Sequence, residues 1–573
     1  MPNNRIIKPC TSSSLGMEEA AGARQRIRKL MKAGILVSPD CVEALCNCQD
    51  IDRRVSLLKA KALDLAVLTR EVNELVDLKP ESVNDVNWRE FERSRVLSEK
   101  RQDARLYTRF LEFINGGSAS LEPEHGTVAD NAGSKIITAE DALVPPLENP
   151  AAARVKIVFS YDQPPSSRTV PDFVSLFNAR YKAIEAILSN RHELSALTTI
   201  SRIKAKREKD SVNFIGMVSD IQFTKNNNAI MTFEDPTGSI KALISKNKPE
   251  LLELARNIVL DEVIGIAGVA AGNDEIVYVN RLLMPDIPMS SELKKAPDEG
   301  YAVFLSDLHV GSNKFLPDDF SKFLRWIKGE LGSEKQRAIA SKVQYIFIIG
   351  DLVDGVGIYP DQQSELVVDD IYAQYELCTE LLEQIPQHIP LIICPGNHDA
   401  IRLSEPQPAL GTGFSAALAR LKNAVFISNP AVVNIHSSPG FPGFNVLVYH
   451  GYSFDYYVAN VDSIRAQGGY DRADLIMKFL LQRRHLAPSH SSTLYVADPS
   501  MDHLVISSIP DFFVTGHIHK CCVANYRNIT LLCGSCWQGK TSFQEKVGHH
   551  PEPARVPIVN LQTRDVKVLK FGE

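Results

Sequence analysis

Five short apolar runs in the C-terminal half of the sequence each end in side chains that bind metals. YAVFLS is followed by Asp307 and His309, and VQYIFIIG by Asp351. PLIICP leads into Gly396, Asn397, His398 and Asp399, FNVLVYH ends in His450, and DFFVTGH ends in His517 with His519 two residues on. Carboxylate, amide oxygen and imidazole together suit Mn, Fe or Zn better than Ca or Mg. On an extended backbone, where side chains repeat every two residues, Asp-x-His and His-x-His would present both members of each pair on one side. So many donors exceed the needs of one tetrahedral ion. They suit two ions about 3.5–4 Å apart that share one carboxylate, an arrangement that serves both the attacking and the leaving oxygen of a phosphoester.

The segments SDLHVGS, GDLVDG, PGNHD, YHG and TGHIH resemble the five motifs of the calcineurin-like metallophosphoesterases, over residues 300–570. Longer stretches, GDLVDGVGIYP, PGNHDAIRLSEPQP, YDRADLIMKFLLQRRHLAP and DHLVISSIPDFFVTGHIHK, resemble the small (B) subunits of the archaeal family D DNA polymerases, over residues 200–573. The resemblance implies that Asp307, His309 and His519 hold one metal, that Asn397, His450 and His517 hold the other, and that Asp351 bridges them. It implies two divalent ions, Mn first, with Fe, Zn or Mg as alternatives. His398 would be the catalytic histidine near the scissile phosphate, with Asp399 orienting it through its second ring nitrogen. Repair nucleases of the superfamily often carry histidine three residues after the bridging Asp; here the position is Asp354, which a helix N-cap would also explain. The implied activity is a 3′→5′ proofreading exonuclease acting on DNA with a 3′ end. The polymerase site would lie on a separate large subunit, the heterodimer partner, and sliding-clamp contact would pass through the complex. A catalytically weak B subunit that scaffolds the large subunit is the alternative, and a small-molecule phosphodiesterase or protein phosphatase a third.

The elements that must position these residues follow from patterning. From Tyr301 on, buried apolar runs alternate with helical stretches, which predicts an α/β domain over 295–573 with its strand ends meeting in one crevice; the resemblance makes it an α/β metallophosphoesterase sandwich, two sheets flanked by helices. Upstream, VNFIGMVSDIQFTKNNNAIMTFEDPTGSIKALIS alternates between apolar and polar and breaks at NNN and DPTG. With the helical piece Pro249–Ile258 and strands near Val263–Val269 and Ile276–Val279, it predicts a Greek-key barrel of the OB type within 151–290. SRIKAKREK at its entrance carries five Lys/Arg in nine residues, and Arg202, Lys204, Lys206 and Arg207 are candidate nucleic-acid contacts, with Phe214, Phe223 and Phe233 either stacking platforms or barrel core. Arg483 and Arg484, ending a helical stretch, are further candidates for DNA phosphates. Residues 1–80 predict a small helical docking domain. Residues 81–150 predict a helical piece and then a flexible linker, because GGSASLEPEHGTVADNAGSK is too polar to fold alone.

The chain has 573 residues, 44% hydrophobic and 23% charged, with 63 Lys+Arg against 69 Asp+Glu and a net charge of −6. That balance excludes a uniformly basic DNA coat, though not a local basic groove. No apolar run is long enough for a transmembrane helix and MPNNRIIKPC has no signal-like core, so no membrane partner is expected, and the resemblance implies a cytoplasmic, nucleoid-associated location. The ten cysteines form no paired CxxC…CxxC and read as reduced thiols, Cys533 and Cys536 as core residues. The C-terminal VKVLKFGE offers no convincing clamp-binding peptide.

Overall fold

The computed structural model describes isolated positions and short stretches between residues 26 and 76, and residues 154–272, 276–290, 292–546 and 548–572. It divides into two units, residues 1–138 and 139–573. In the first, two short strands, β1 (Leu36–Val37) and β2 (Val67–Leu68), pair in parallel, and helix α1 (Ile51–Lys61) buries Leu58. Most of the expected docking domain over 1–80, and all of 81–150, lie outside the described residues.

The second unit opens with β3 (Val155–Ser160) and helix α2 (Val170–Leu188). Thr169 caps α2, its backbone N–H donating to Asp172 Oδ2 at 2.7 Å. After helix α3 (Ile200–Lys204) come β4 (Asp210–Phe223), β5 (Ala229–Asp235), β6 (Gly238–Ile244), α4 (Pro249–Arg256), β7 (Val263–Ala270) and β8 (Ile276–Leu283). These strands close into a five-stranded barrel in the order β4-β5-β6-β8-β7. Alternation along β4 and β5 sends Phe214, Val218, Met231 and Phe233 into the barrel core. Phe214 and Phe233 are therefore packed edge to face and fully buried, while Phe223 stays half exposed under the Arg256 guanidinium.

The remaining residues build two six-stranded sheets. In chain order the elements are β9 (Tyr301–Leu305), α5 (Pro317–Ile327), α6 (Glu334–Ala340), β10 (Val343–Ile349), α7 (Ile371–Leu382), β11 (Leu391–Cys394), β12 (Ala424–Phe426), β13 (Ala431–Ile435) and β14 (Phe444–Val448). They continue with α8 (Phe454–Asn460), α9 (Ala473–Arg483), β15 (Phe512–Thr515), β16 (Cys522–Tyr526), β17 (Ile529–Cys533), β18 (Arg555–Asn560) and β19 (Val566–Lys570). The first sheet runs β12-β11-β10-β9-β18-β19 and the second β16-β17-β15-β14-β13-β3. Residues 155–160, expected within the barrel segment, instead form the edge strand β3, paired antiparallel with β13.

The inner faces of the sheets meet through Phe304, Phe347, Val433, Val446, Phe512 and Val514. The outer face of the first sheet is covered by α5 and α7 through Phe320, Phe323, Trp326 and Tyr375, and that of the second by α8 and α9 through Tyr457, Ile476, Met477 and Leu480. The result is a sheet-on-sheet sandwich with helices outside. All five apolar runs are strands. β9, β10 and β11 are mutually parallel, as are β14 and β15, so within each sheet the strands that carry the five runs point their C-terminal ends the same way.

Candidate metal centre

Each strand delivers its donors just past its last residue, where the backbone turns sharply. Asp307, His309, Asp351, His517 and His519 all have positive φ, between 52° and 71°. For non-glycine residues this left-handed conformation is uncommon and costs roughly 1–3 kcal/mol each. The Asp-x-His and His-x-His pairs are therefore not extended, as their spacing suggested. They converge because each donor occupies its own left-handed turn. Close packing behind the donors requires glycine: a Cβ on Gly516 would lie 2.6 Å from Asp307 Oδ2, and one on Gly396 would overlap the Asp351 carboxylate.

Two groups of candidate donors form, Asp307, His309 and His519 as the first and Asp351, His450 and His517 as the second, and a third group, His309, Asp351 and His398, overlaps both. His309 Nε2 lies 3.0 Å from His519 Nε2, and Asp307 Oδ1 lies 3.4 Å from that same His519 nitrogen. In the second group Asn397 Oδ1 is 3.0 Å from His450 Nε2 and 2.9 Å from His517 Nδ1. Asp351 Oδ2 stands between them, 3.7 Å from His309 Nε2 and 3.4 Å from His450 Nε2. Its other oxygen accepts the His398 backbone N–H at 2.8 Å, which fixes the carboxylate. Metal bonds of about 2.1 Å set neighbouring donors about 3.0 Å apart at right angles and about 3.4 Å apart at tetrahedral angles. The donor set and its spacing fit two divalent ions sharing Asp351.

The ring nitrogens turned away from the centre are held as well. His309 Nδ1 is 3.0 Å from Asp354 Oδ1, His450 Nδ1 donates to the Ile349 carbonyl at 2.9 Å, His517 Nε2 is 3.1 Å from Asp455 Oδ2, and His519 Nδ1 is 3.0 Å from Gln544 Nε2. Such partners fix tautomer and ring orientation. Asp354 is no helix cap. It is fully buried, and its carboxylate also accepts from Gln362 Nε2 at 3.0 Å and Gln538 Nε2 at 2.8 Å. Its position three residues after Asp351 was the only sequence signal for it. Asp455, Gln544 and Gln538 had none, because only folding brings them here.

Asp399 does not orient His398. The His398 ring donates from Nδ1 to the Asp354 carbonyl at 2.8 Å. Asp399 instead accepts from the Gly396 N–H at 2.8 Å and from the Tyr375 hydroxyl at 3.1 Å, so it shapes the loop that carries Asn397 and His398. The reason is the turn itself: adjacent residues on it point to opposite sides, His398 to the cleft and Asp399 to the interior.

Electrostatics follow from burial against pairing. Burial favours neutral Asp351, but His450 and His398 beside it hold its carboxyl well below the usual range. Burial likewise opposes charge on His450, yet Asp351 raises it to about 10. His398 is lowered, chiefly by burial, and Asp399 is raised to about 7 by burial with Asp351 adding to it.

The expected nucleic-acid contacts divide. Arg202, Lys204 and Arg207 are exposed and Lys206 half-buried, on α3 and the turn after it, beside the barrel rather than at the centre. Lys206 is paired with Asp210. Arg483 and Arg484 do not reach solvent. Arg483 lies 3.0 Å from Glu262 and donates to the Asn257 carbonyl, and Arg484 donates to the Ile506 and Ser507 carbonyls at 2.7 Å each. A charged helix end reads as surface in sequence, but here it is buried against the barrel. Cys533 and Cys536 are free and buried.

A two-sheet sandwich with paired donor groups at its strand ends defines a calcineurin-like phosphoesterase domain, and the family model of that description matches residues 302–521. The chain belongs to the DNA polymerase II small subunit family. It is 37% identical over 407 residues to the DNA polymerase II small subunit of Methanothermobacter thermautotrophicus, covering 71% of this chain and 80% of that one. It is 36% identical over 406 residues to the Archaeoglobus fulgidus small subunit, covering 70% and 78%, and 35% identical over 401 residues to that of Halobacterium salinarum, covering 70% and 75%. No helix among the described residues is long and apolar enough to cross a membrane.

Proposed function

We propose that this chain is the 3′→5′ exonuclease subunit of a heteromeric archaeal replicative DNA polymerase, with the polymerase site on a separate large subunit. The observation that carries the reading is the position of Asp351 Oδ2, 3.7 Å from His309 Nε2 of the first donor group and 3.4 Å from His450 Nε2 of the second. Two divalent ions held there, Mn first, would supply Lewis acidity and neutralise phosphate charge. The protein's own residues do the rest. Asp354 locks His309 through Nδ1 and, by its carbonyl, His398. That carbonyl accepts the His398 Nδ1–H, leaving Nε2 for the substrate. Its lowered pKa keeps the free ring neutral, and an arriving phosphodiester, being negative, raises its proton affinity so that Nε2 takes up a proton from solvent and passes it to the leaving 3′ oxygen.

The barrel has the strand order and the interposed helix expected of an OB fold, and the basic run Arg202–Arg207 is our candidate for backbone contacts to DNA. A scaffolding role beside catalysis is favoured by a separate surface: Ile157 and Val158 on β3 and Val170 and Val174 on α2 are exposed apolar residues.

The test is degradation of a 5′-labelled, 3′-mismatched oligonucleotide with Mn²⁺, by wild type, His398→Ala and Asp351→Ala, each alone and with the large subunit. Stepwise shortening from the 3′ end by wild type, lost in both variants, is expected. No shortening in either assembly state, with metal bound, would leave the scaffold reading.

A further inference from the structure

Beside the second donor group lies a cleft of about 550 Å³, within the range of small-molecule sites. Three separate elements wall it: Phe173 from α2, Tyr452 and Tyr456 at α8, and Thr493 and Tyr495 from the loop that follows α9. It adjoins the centre directly, since the Tyr452 ring meets His517 edge-on at 5.9 Å and Asp455, on the rim, receives the His517 ring N–H. Its chemistry is selective. Aromatic faces and hydroxyls dominate, no Lys or Arg is among its described lining residues, and its ionisable groups besides tyrosine are the Asp455 carboxylate and His490, which stacks on Tyr495. Such a wall repels phosphate and suits a neutral, planar, polar ring. Thr493 Oγ1 is buried behind the wall, beside the Glu405 carboxyl.

We propose that this cleft is a nucleoside subsite, which takes the unpaired terminal nucleoside of a DNA strand whose last phosphodiester lies at the metal centre. The proposal rests on the exonuclease reading and adds selection to it. A base still paired in a duplex cannot enter, and extrusion costs least for a mismatched or single-stranded end. Frayed ends are then removed in preference to paired ones by the shape of the cleft, without reading sequence, because every base has a face that stacks on an aromatic ring.

The experiment uses the full chain with Mn²⁺ and two 5′-labelled single strands, one ending in dA and one in an abasic residue. Wild type is expected to remove dA about tenfold faster in kcat/KM, the scale of one stacked base. Tyr456→Ala and Phe173→Ala, on different elements, should each bring that ratio close to one, mainly through KM, whereas Tyr456→Phe, which keeps the ring, should preserve it. Circular dichroism checks that each variant is folded. Rapid removal of both ends by wild type at equal rates, or an unchanged ratio in both alanine variants, would overturn the subsite while leaving the exonuclease standing, and would give the cleft to a side chain of a protein partner. No shortening of either strand by wild type, alone or with the large subunit and with metal bound, would overturn both readings.

Discussion

Asp354 shows how much of a metal centre lies outside its donors. One buried carboxylate holds His309, receives two glutamine amides, and through its backbone carbonyl sets the His398 tautomer. Burial alone would neutralise it, but His309 pairing keeps its carboxyl below the usual range. An amide in its place keeps the shape and loses the charge. Asp354→Asn is therefore expected to weaken Mn²⁺ binding about tenfold to a hundredfold, the usual cost of losing an outer partner of a metal-binding histidine. Calorimetric titration of Mn²⁺ into the full chain measures this, and wild-type affinity in the variant would show that His309 is held by packing alone.

Between elements, Glu262 and Arg483, both buried, join the barrel to α9. Burial raises the Glu262 carboxyl and lowers the Arg483 guanidinium, in each case outweighing the attraction of the partner. The pair therefore adds little net stability, while either charge left alone is costly. Arg483→Met should destabilise the fold by about 3–5 kcal/mol. Adding Glu262→Gln, which retains an acceptor for the Val259 N–H, should recover most of that loss. Denaturant unfolding of the two single variants and the double variant completes the cycle, and a strictly additive double variant would mean that the two groups do not interact.

Across the whole molecule, stability depends on a buried network that ties α2 to the segment after α9. Arg180 Nε donates to Asp502 Oδ2 at 2.7 Å, and His485 Nε2 donates to that same oxygen at 2.9 Å. His485 Nδ1 accepts the Ala487 N–H, so the neutral ring is fixed. Burial, with Arg180 adding to it, lowers His485 to about 4. Between that value and the ordinary 6.5, the unfolded chain binds a proton that the folded chain refuses. The contribution of His485 is thus whole above pH 6.5 and is lost as pH falls toward 4, on the order of 3 kcal/mol in all. Glu405, raised to about 7 by burial, acts in the opposite sense, stabilising at low pH and losing that contribution as pH rises through 7. Comparing wild type with His485→Gln cancels Glu405 and isolates the histidine. The stability gap should narrow as pH drops from 7 to 4, and a gap independent of pH would remove His485 from the account. This network was invisible in sequence, where Arg180, His485 and Asp502 stand far apart. So was the burial of Arg483 and Arg484, because a charged helix end looks alike whether it meets water or another domain. By contrast, the five strands and their terminal donors were legible, since long apolar runs leave few alternatives to buried strands and metal chemistry uses few side-chain types. The sequence by itself singled out the candidate donor side chains that the fold brings together. Only the tertiary structure decided how they meet: left-handed turns instead of extended pairs, Asp354 rather than Asp399 behind His398, and an aromatic cleft drawn from three elements. Those outcomes depend on packing between segments distant along the chain, which local composition and spacing do not encode.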